Sequence, residues 1–289
     1  MRTFIAVIFI TTFLVMIVLS ASAAIDPNMI LWFSFDEQID GRQVEDLTGG
    51  GNNGKLKLGA KLTDVPEEIY KGAGAVKFTN ISAQVRVEPF KRMNEYNEHT
   101  YAFWIYIFSN TAKPWNWEHC GAVPCGEGRA SIMEKGNILE GAVKGWAPGI
   151  LIQEEPLALI YQFQDKGGGG LQGALGAKGI VGPGGNGTEF EFKKWYHIAG
   201  VKQAAELIIY VDGKEQGRFP APREFVQGEA LLRLGGTRER SAHFAMDEFS
   251  LYDRALTDKE VELDARGVLL WVEPEGKLTT TWGDIKVNR

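Results

Sequence analysis

Few side chains in this sequence are spaced for chemistry. The acidic ones come first. Glu189-Phe190-Glu191 would put two carboxylates on one face of a strand, about 6–7 Å apart. That is close to the separation at which paired carboxylates cleave glycosides. The flanking Phe190 and Phe192 make plain solvent-face alternation the better explanation. Glu154-Glu155 and Asp36-Glu37 are adjacent pairs, so in a strand their side chains point to opposite faces. Four histidines occur, His99, His119, His197 and His243, with no Gly-x-Ser-x-Gly to supply an exposed nucleophile. His197 sits inside an apolar run and reads as a packed strand residue. No catalytic motif is recognisable, and no catalytic residue is assigned.

Cysteine and aromatic chemistry is more suggestive. Cys120 and Cys125 are the two cysteines, separated by Gly-Ala-Val-Pro. The spacing excludes a redox Cys-x-x-Cys and suits a small disulfide-closed loop in an exported chain. Free thiols are the alternative. Zinc would need further ligands, and only His119 is adjacent. Trp115 and Trp117 lie in a loop-like stretch between Lys113, Pro114, Asn116 and Glu118. With Trp146 and Tyr161 they are candidates for stacking on sugar rings. The competing reading is core, because a sandwich interior has ample use for eight Trp and sixteen Phe.

The elements that must position these residues are strands. The dominant hydrophobic period is two. Tyr101, Phe103, Ile105 and Ile107 share one face of a strand, and Ala102, Trp104 and Tyr106 the other. A run that is apolar on both faces reads as a central strand. Further strands are expected over 29–35, 75–79, 84–88, 131–134, 149–153, 157–162, 189–192, 195–202, 206–211, 230–234 and 245–252. Asp212-Gly213 between two of them is a type I′ hairpin signal. Thr257-Asp258-Lys259-Glu260 is a capping box for one short helix, which Gly267 stops. The stretches 110–144 and 165–187 read as long surface loops, the second dense in glycine. No Gly-Lys-Ser/Thr follows those glycines, so a phosphate loop is not indicated.

Residues 1–23 read as a secretory signal: Arg2, an apolar run from Phe4 to Leu19, then the small-residue site Ala21-Ser22-Ala23. An uncleaved anchor is the alternative, since about 18 apolar residues cross a bilayer. After cleavage no membrane-spanning stretch is left, and a secreted or extracytoplasmic location is expected. A net charge of −6 argues against nucleic acid and fits neutral glycans or cations. The tail over 268–289 is too apolar for a simple disordered end.

Several of these residues together resemble LamG-like jelly-roll domains of the concanavalin A-like lectin/glucanase superfamily. The resemblance opens with Trp32-Phe33-Ser34-Phe35-Asp36-Glu37 and Asp46-Leu47-Thr48-Gly49-Gly50-Gly51-Asn52-Asn53-Gly54. It continues through Gly74-Ala75-Val76-Lys77-Phe78, Tyr101-Ala102-Phe103-Trp104-Ile105 and Lys194-Trp195-Tyr196-His197-Ile198. Asp247-Glu248-Phe249 and Tyr252-Asp253-Arg254-Ala255-Leu256-Thr257 close it. It implies an all-β, two-sheet antiparallel jelly-roll sandwich over 25–267 with a short C-terminal helix. Its first and last strands lie side by side. It also implies a structural Ca²⁺ between those strands, on Asp36, Asn52 and Asp247 with carbonyls of the 49–53 turn. The competing reading is that Asp36 and Asp247 are strand-end carboxylates satisfied by backbone N–H groups. The fold carries binders, enzymes and structural domains alike. The expectation is a non-enzymatic module for a glycan or an extracellular protein. The alternatives are a glycan-active hydrolase and an assembly component acting through its tail.

Overall fold

The computed structural model describes residues 25–79, 83–109, 129–135, 149–154, 157–164, 171–176, 190–221, 229–236 and 243–268. The strands are β1 (Met29–Phe33), β2 (Gln38–Ile39), β3 (Gln43–Val44), β4 (Gly54–Lys57), β5 (Lys61–Thr63), β6 (Ala75–Phe78), β7 (Gln84–Val87), β8 (His99–Ser109) and β9 (Arg129–Lys135). They continue as β10 (Gly149–Glu154), β11 (Leu157–Gln164), β12 (Leu171–Gly176), β13 (Trp195–Gln203), β14 (Glu206–Val211), β15 (Lys214–Pro220), β16 (Leu232–Gly235) and β17 (His243–Tyr252). Two short α-helices, α1 (Lys91–Glu95) and α2 (Asp258–Asp264), and one 3₁₀ turn (Pro66–Glu68) complete the described elements.

All pairing is antiparallel, in two sheets that form a jelly-roll sandwich. The first sheet runs β15-β14-β13-β8-β17-β6-β5, with β1 also on β17. The second runs β12-β11-β10-β9-β16-β7-β4-β3-β2. Alternation in β8 and β17 sends Phe103, Ile105, Phe244, Met246 and Phe249 inward. They pack against Val85, Val87, Ile132, Met133, Leu232 and Leu234 of the second sheet. All of these are fully buried.

Strand β17 changes partner along its length. Its first half pairs with β6 (Met246 opposite Val76), and its second half with β1 (Phe249 opposite Phe33). A bulge at Asp247 and Glu248 marks the switch, and Glu248 adopts a left-handed φ of 49°. The expected contact of first and last strands is therefore present.

The outer face of the first sheet is covered unevenly. Ala102 and Ala199 are directly opposed on β8 and β13. Their small side chains leave room for α2, and Leu256 and Val261 pack with Ala102, Ala199, Val201, Ile208, Tyr210 and Tyr252. The capping box forms as expected: Glu260 N–H donates to Thr257 Oγ1 (3.3 Å) and Thr257 N–H to Glu260 Oε2 (2.7 Å). Gly267, with φ of 71°, ends the helix. The Asp212-Gly213 turn has both φ values positive, 50° and 74°. A Cβ on Gly213 would lie 3.0 Å from the Glu262 Cα, so the hairpin turn also seats the helix.

Two expectations need correction. No strand forms over the described part of 189–192. Lys193 turns left-handed (φ 60°) and its N–H donates to the Ile107 carbonyl. The Tyr196 hydroxyl accepts from Glu191 N–H instead of a strand neighbour. Glu191 and Lys194 then pair in the open, so the two-glutamate strand face does not arise. In the glycine-dense stretch expected to be all loop, β12 forms and pairs with β11. It lies at the edge of its sheet, where one side of its backbone needs no strand partner.

Candidate functional site

The residues that converge are not the ones the spacing singled out. On the outer face of the first sheet, register places Tyr106 opposite Trp195, and Trp104 opposite His197. Residues directly opposite share a face. These side chains stand next to the alanine row under α2, whose last residue, Asp264, reaches His197, while Trp104, Tyr106 and Trp195 stay partly open. Trp104, Tyr106, Phe108 and Trp195 are half-buried. Tyr70, from the connection before β6, lies flat on Trp104 with ring centroids 3.5 Å apart and planes 13° apart. Tyr106 contacts both Trp195 (5.4 Å) and Phe108 (5.4 Å), which makes one continuous aromatic face.

A shallow cleft opens beside it, lined by Tyr70, Lys71, Trp104, His197, Glu248 and Asp264. Lys71 Nζ pairs with Glu248 Oε1 at 3.3 Å, and Trp32 Nε1–H donates to Glu248 Oε2 at 3.0 Å. His197 Nε2 faces Asp264 Oδ2 at 3.1 Å, with both side chains largely buried. Burial raises the Tyr70 phenol above its ordinary value, with help from Glu248 and Asp247. It therefore stays a neutral hydroxyl. Both acids that reach the cleft are already engaged, Glu248 by a cation and an indole N–H and Asp264 by a histidine. The arrangement suits polar recognition beside a stacking surface.

The turn that carries Tyr70 and Lys71 is held by the two predicted acids. Asp247 is fully buried, and its Oδ2 accepts from the N–H groups of Tyr70 (3.1 Å) and Lys71 (3.0 Å). Its Oδ1 accepts from Glu248 N–H (2.8 Å). Asp36 Oδ1 accepts from Ala73 N–H (2.5 Å) and Gly74 N–H (3.2 Å). Asn52 is elsewhere: its N–H and Nδ2 both donate to Asp46, whose Oδ1 also accepts from Thr48 N–H and Oγ1. Of the two readings of Asp36 and Asp247, backbone satisfaction is what the geometry displays. As they stand, the three expected ligands do not face a common centre. No group of three His, Cys, Asp or Glu that could hold a metal is found among the described residues.

Of the expected sugar-stacking residues, Trp115, Trp117 and Trp146 lie outside the described residues. So do Cys120 and Cys125. Tyr161 is on β11, opposite Ile150 and Leu175. The aromatic face was legible in principle. An eleven-residue strand is roughly 35 Å long, whereas a two-turn helix covers only about 10 Å. The apolar outer positions Trp104 and Tyr106 could not all lie under it.

The fold is a two-sheet antiparallel jelly-roll sandwich. Residues 145–262 match the Laminin_G_3 family model, described as the concanavalin A-like lectin/glucanases superfamily. Among solved structures, the binding domain of Paraclostridial Mosquitocidal Protein 1 is similar (TM-score 0.59, 16% identity, 83% of this chain and 52% of that one). The botulinum neurotoxin serotype D binding domain is similar too (TM-score 0.57, 12% identity, 84% and 52%). So is the serotype D ligand binding domain in complex with N-acetylneuraminic acid (TM-score 0.58, 12% identity, 84% and 52%). The chain spans about half the length of these domains. At such identities the likeness establishes the fold alone. No curated protein matches the chain.

Two outcomes are expected. Burial pushes the Asp247 carboxyl up from 3.8 to about 8, against three N–H bonds that favour the anion. A raised acid stabilises the fold through its protonated form. That contribution is complete below pH 3.8 and is lost as pH rises through about 8. Urea midpoints of the native protein should therefore fall between pH 5 and pH 9, and Asp247→Asn should flatten that fall. Parallel curves would contradict it. For calcium, an ion on Asp36 and Asp247 would have to displace five backbone N–H groups. Adding millimolar Ca²⁺ is expected to leave the melting temperature unchanged. A rise reversed by chelator would place an ion there after all.

Proposed function

We propose that this chain is an exported, non-enzymatic binding module whose aromatic face receives a glycan. The observation that carries the reading is the row Tyr70, Trp104, Tyr106 and Trp195. It is half-exposed on a sheet face whose neighbouring alanine row is packed under α2. Flat aromatic rings suit the C–H faces of pyranoses and tolerate partial exposure. Lys71, Glu248 and the Tyr70 hydroxyl supply charged and polar groups beside them for sugar hydroxyls. The structural neighbours are named as binding and receptor-binding domains, one of them in complex with N-acetylneuraminic acid, which supports a binding role.

Export is part of the same proposal. Among the described residues, which begin at Ile25, the first strand starts at Met29, after the expected cleavage site. A Cys120–Cys125 disulfide fits that compartment.

A glycan array followed by titration tests the binding reading. Tyr106 contributes a half-buried ring in the middle of the row. Tyr106→Ala should weaken the best glycan by about five- to tenfold, near 1 kcal/mol, with the melting temperature retained. Unchanged affinity would remove this face from the site, and release of shorter sugars from the bound glycan would make the protein an enzyme. N-terminal sequencing of protein from the culture medium should begin at Ala24. An intact Met1 in the membrane fraction would mean an anchor.

A further inference from the structure

Helix α2 ends beside the aromatic face, and the chain leaves it with apolar residues. Gly267 (φ 71°) closes the helix: its N–H donates to the Asp264 carbonyl at 2.8 Å, and the Val268 N–H donates to the Leu263 carbonyl at 3.0 Å. That pair of bonds turns the chain at the glycine and fixes where it departs. Gly267 itself lines the cleft with Tyr70, Lys71 and Trp104. In such a cap the residue after the glycine commonly packs back on the last helical turn. Val268 is instead 54% exposed. Leu269-Leu270-Trp271-Val272 follow it in the sequence, so an apolar run of five residues starts at the mouth of the cleft. Residues 269–289 lie outside the described residues. A run of that length is out of place in water and calls for a cover.

The face beside it calls for one too. Outward from the cleft, Trp104, Tyr106 and Phe108 follow one another on β8, with Trp195 opposite Tyr106, and all four are only half-buried. Phe192, in the turn that leads into β13, is 42% exposed. The lengths agree. Four residues of extended chain cover about 13 Å, which is the step from Trp104 to Phe108 and equally the span of residues 269–272. Pro274 comes just past that span, and it keeps the residue before it extended. Charge agrees as well. At the far end of the row Lys77 stands 4.6 Å over the Phe108 ring, with exposed Lys61 opposite it on β5. Glu273 and Glu275 are the acids that follow the apolar run.

We propose that the chain's own segment 268–273 lies along the row Tyr70, Trp104, Tyr106 and Trp195 in the free protein, and that a glycan binds there by displacing it. The displacement rests on the glycan reading of this face, whereas the docking does not. Attachment favours this occupant over a separate molecule. A segment joined directly to the cleft meets the face at an effective concentration of about a millimolar or more, without any association step. Docking also removes two apolar surfaces from water at once. The segment then sets the affinity of the site: a face free in about one molecule in ten binds its ligand about tenfold more weakly than a face always free.

Limited chymotrypsin digestion of the full chain, read by mass spectrometry, tests the docking without any glycan. Cleavage after Leu269 and Leu270 should be at least about tenfold slower than in a synthetic peptide of residues 264–276, because a docked segment is cut only while it is open. Tyr106→Ala, which alters the face, and Trp271→Asp, which alters only the tail and leaves the sandwich untouched, should each bring the rate close to that of the peptide. Trp271→Asp should also bind the best array glycan about five- to tenfold more tightly than the native chain, and that glycan should speed cleavage of the native tail. The docking is overturned if the native chain is cut as fast as the peptide or if both variants stay protected. It is equally overturned if protection grows with protein concentration, which would put the segment on a second molecule. Equal glycan affinity in the native and Trp271→Asp proteins overturns the displacement. A protected tail on a protein that binds no glycan upholds the docking and removes the glycan reading, and glycan binding beside an unprotected tail does the reverse.

Discussion

Two buried or half-buried carboxylates closing on one backbone turn are the interaction on which the candidate site rests. Strand β17 trades β6 for β1 as its neighbour at Asp247. A sheet edge that changes partner leaves backbone groups without a ladder, and buried N–H groups need acceptors. Asp247 and Asp36 provide them to residues 70, 71, 73 and 74. Glycine is required where the approach is closest: a Cβ on Gly72 would collide with the Asp36 carboxylate, and one on Gly74 would sit 2.6 Å from the Phe35 carbonyl oxygen. Because the turn is pinned from both sides, Tyr70 is laid on Trp104 and Lys71 is brought to Glu248. The strained backbone of Glu248 is part of the same arrangement, since the bulge aims its side chain at Trp32 and Lys71.

The first sheet divides its outer face by side-chain size. Small residues at 102 and 199 admit a helix, and large aromatics at 104, 106 and 195 stand beyond its end. The helix is short because its capping box and its terminal glycine bracket only two turns. Its length therefore decides how much aromatic surface stays open. The second sheet has no such helix among the described residues, and its outward row, Lys55, Arg86 and Arg233, is charged. One sandwich thus carries an aromatic row on one outer face and a charged row on the other.

Apart from β5, the strands of the first sheet were legible to within a residue or two. Their alternation is strict and their turns are marked by Asp212-Gly213 and by the capping box. The short strands β2 to β5 were not, because two to four residues show no period. The strand expected over 189–192 had the right alternation. It failed because Lys193 turns left-handed and hands its N–H to Ile107. Asp36 and Asp247 were correctly singled out as a pair joining the first and last strands. Both readings of what they hold were open, since a carboxylate that awaits a cation and one that accepts backbone N–H groups look alike in a sequence. Arg86 drew no notice at all, because its neighbours in the row lie 31 and 147 positions away.

Alternation, turn chemistry and caps are local, and from them the sequence by itself determined an all-β sandwich with a short helix after its last strand. Burial and cross-strand register are not local. Whether Trp104 is core or surface depends on where a helix 150 residues later comes to an end. Whether Arg86 meets an acid depends on which residues two other strands place opposite it. Only the tertiary structure decided these points, because both depend on groups brought together by pairing across the chain.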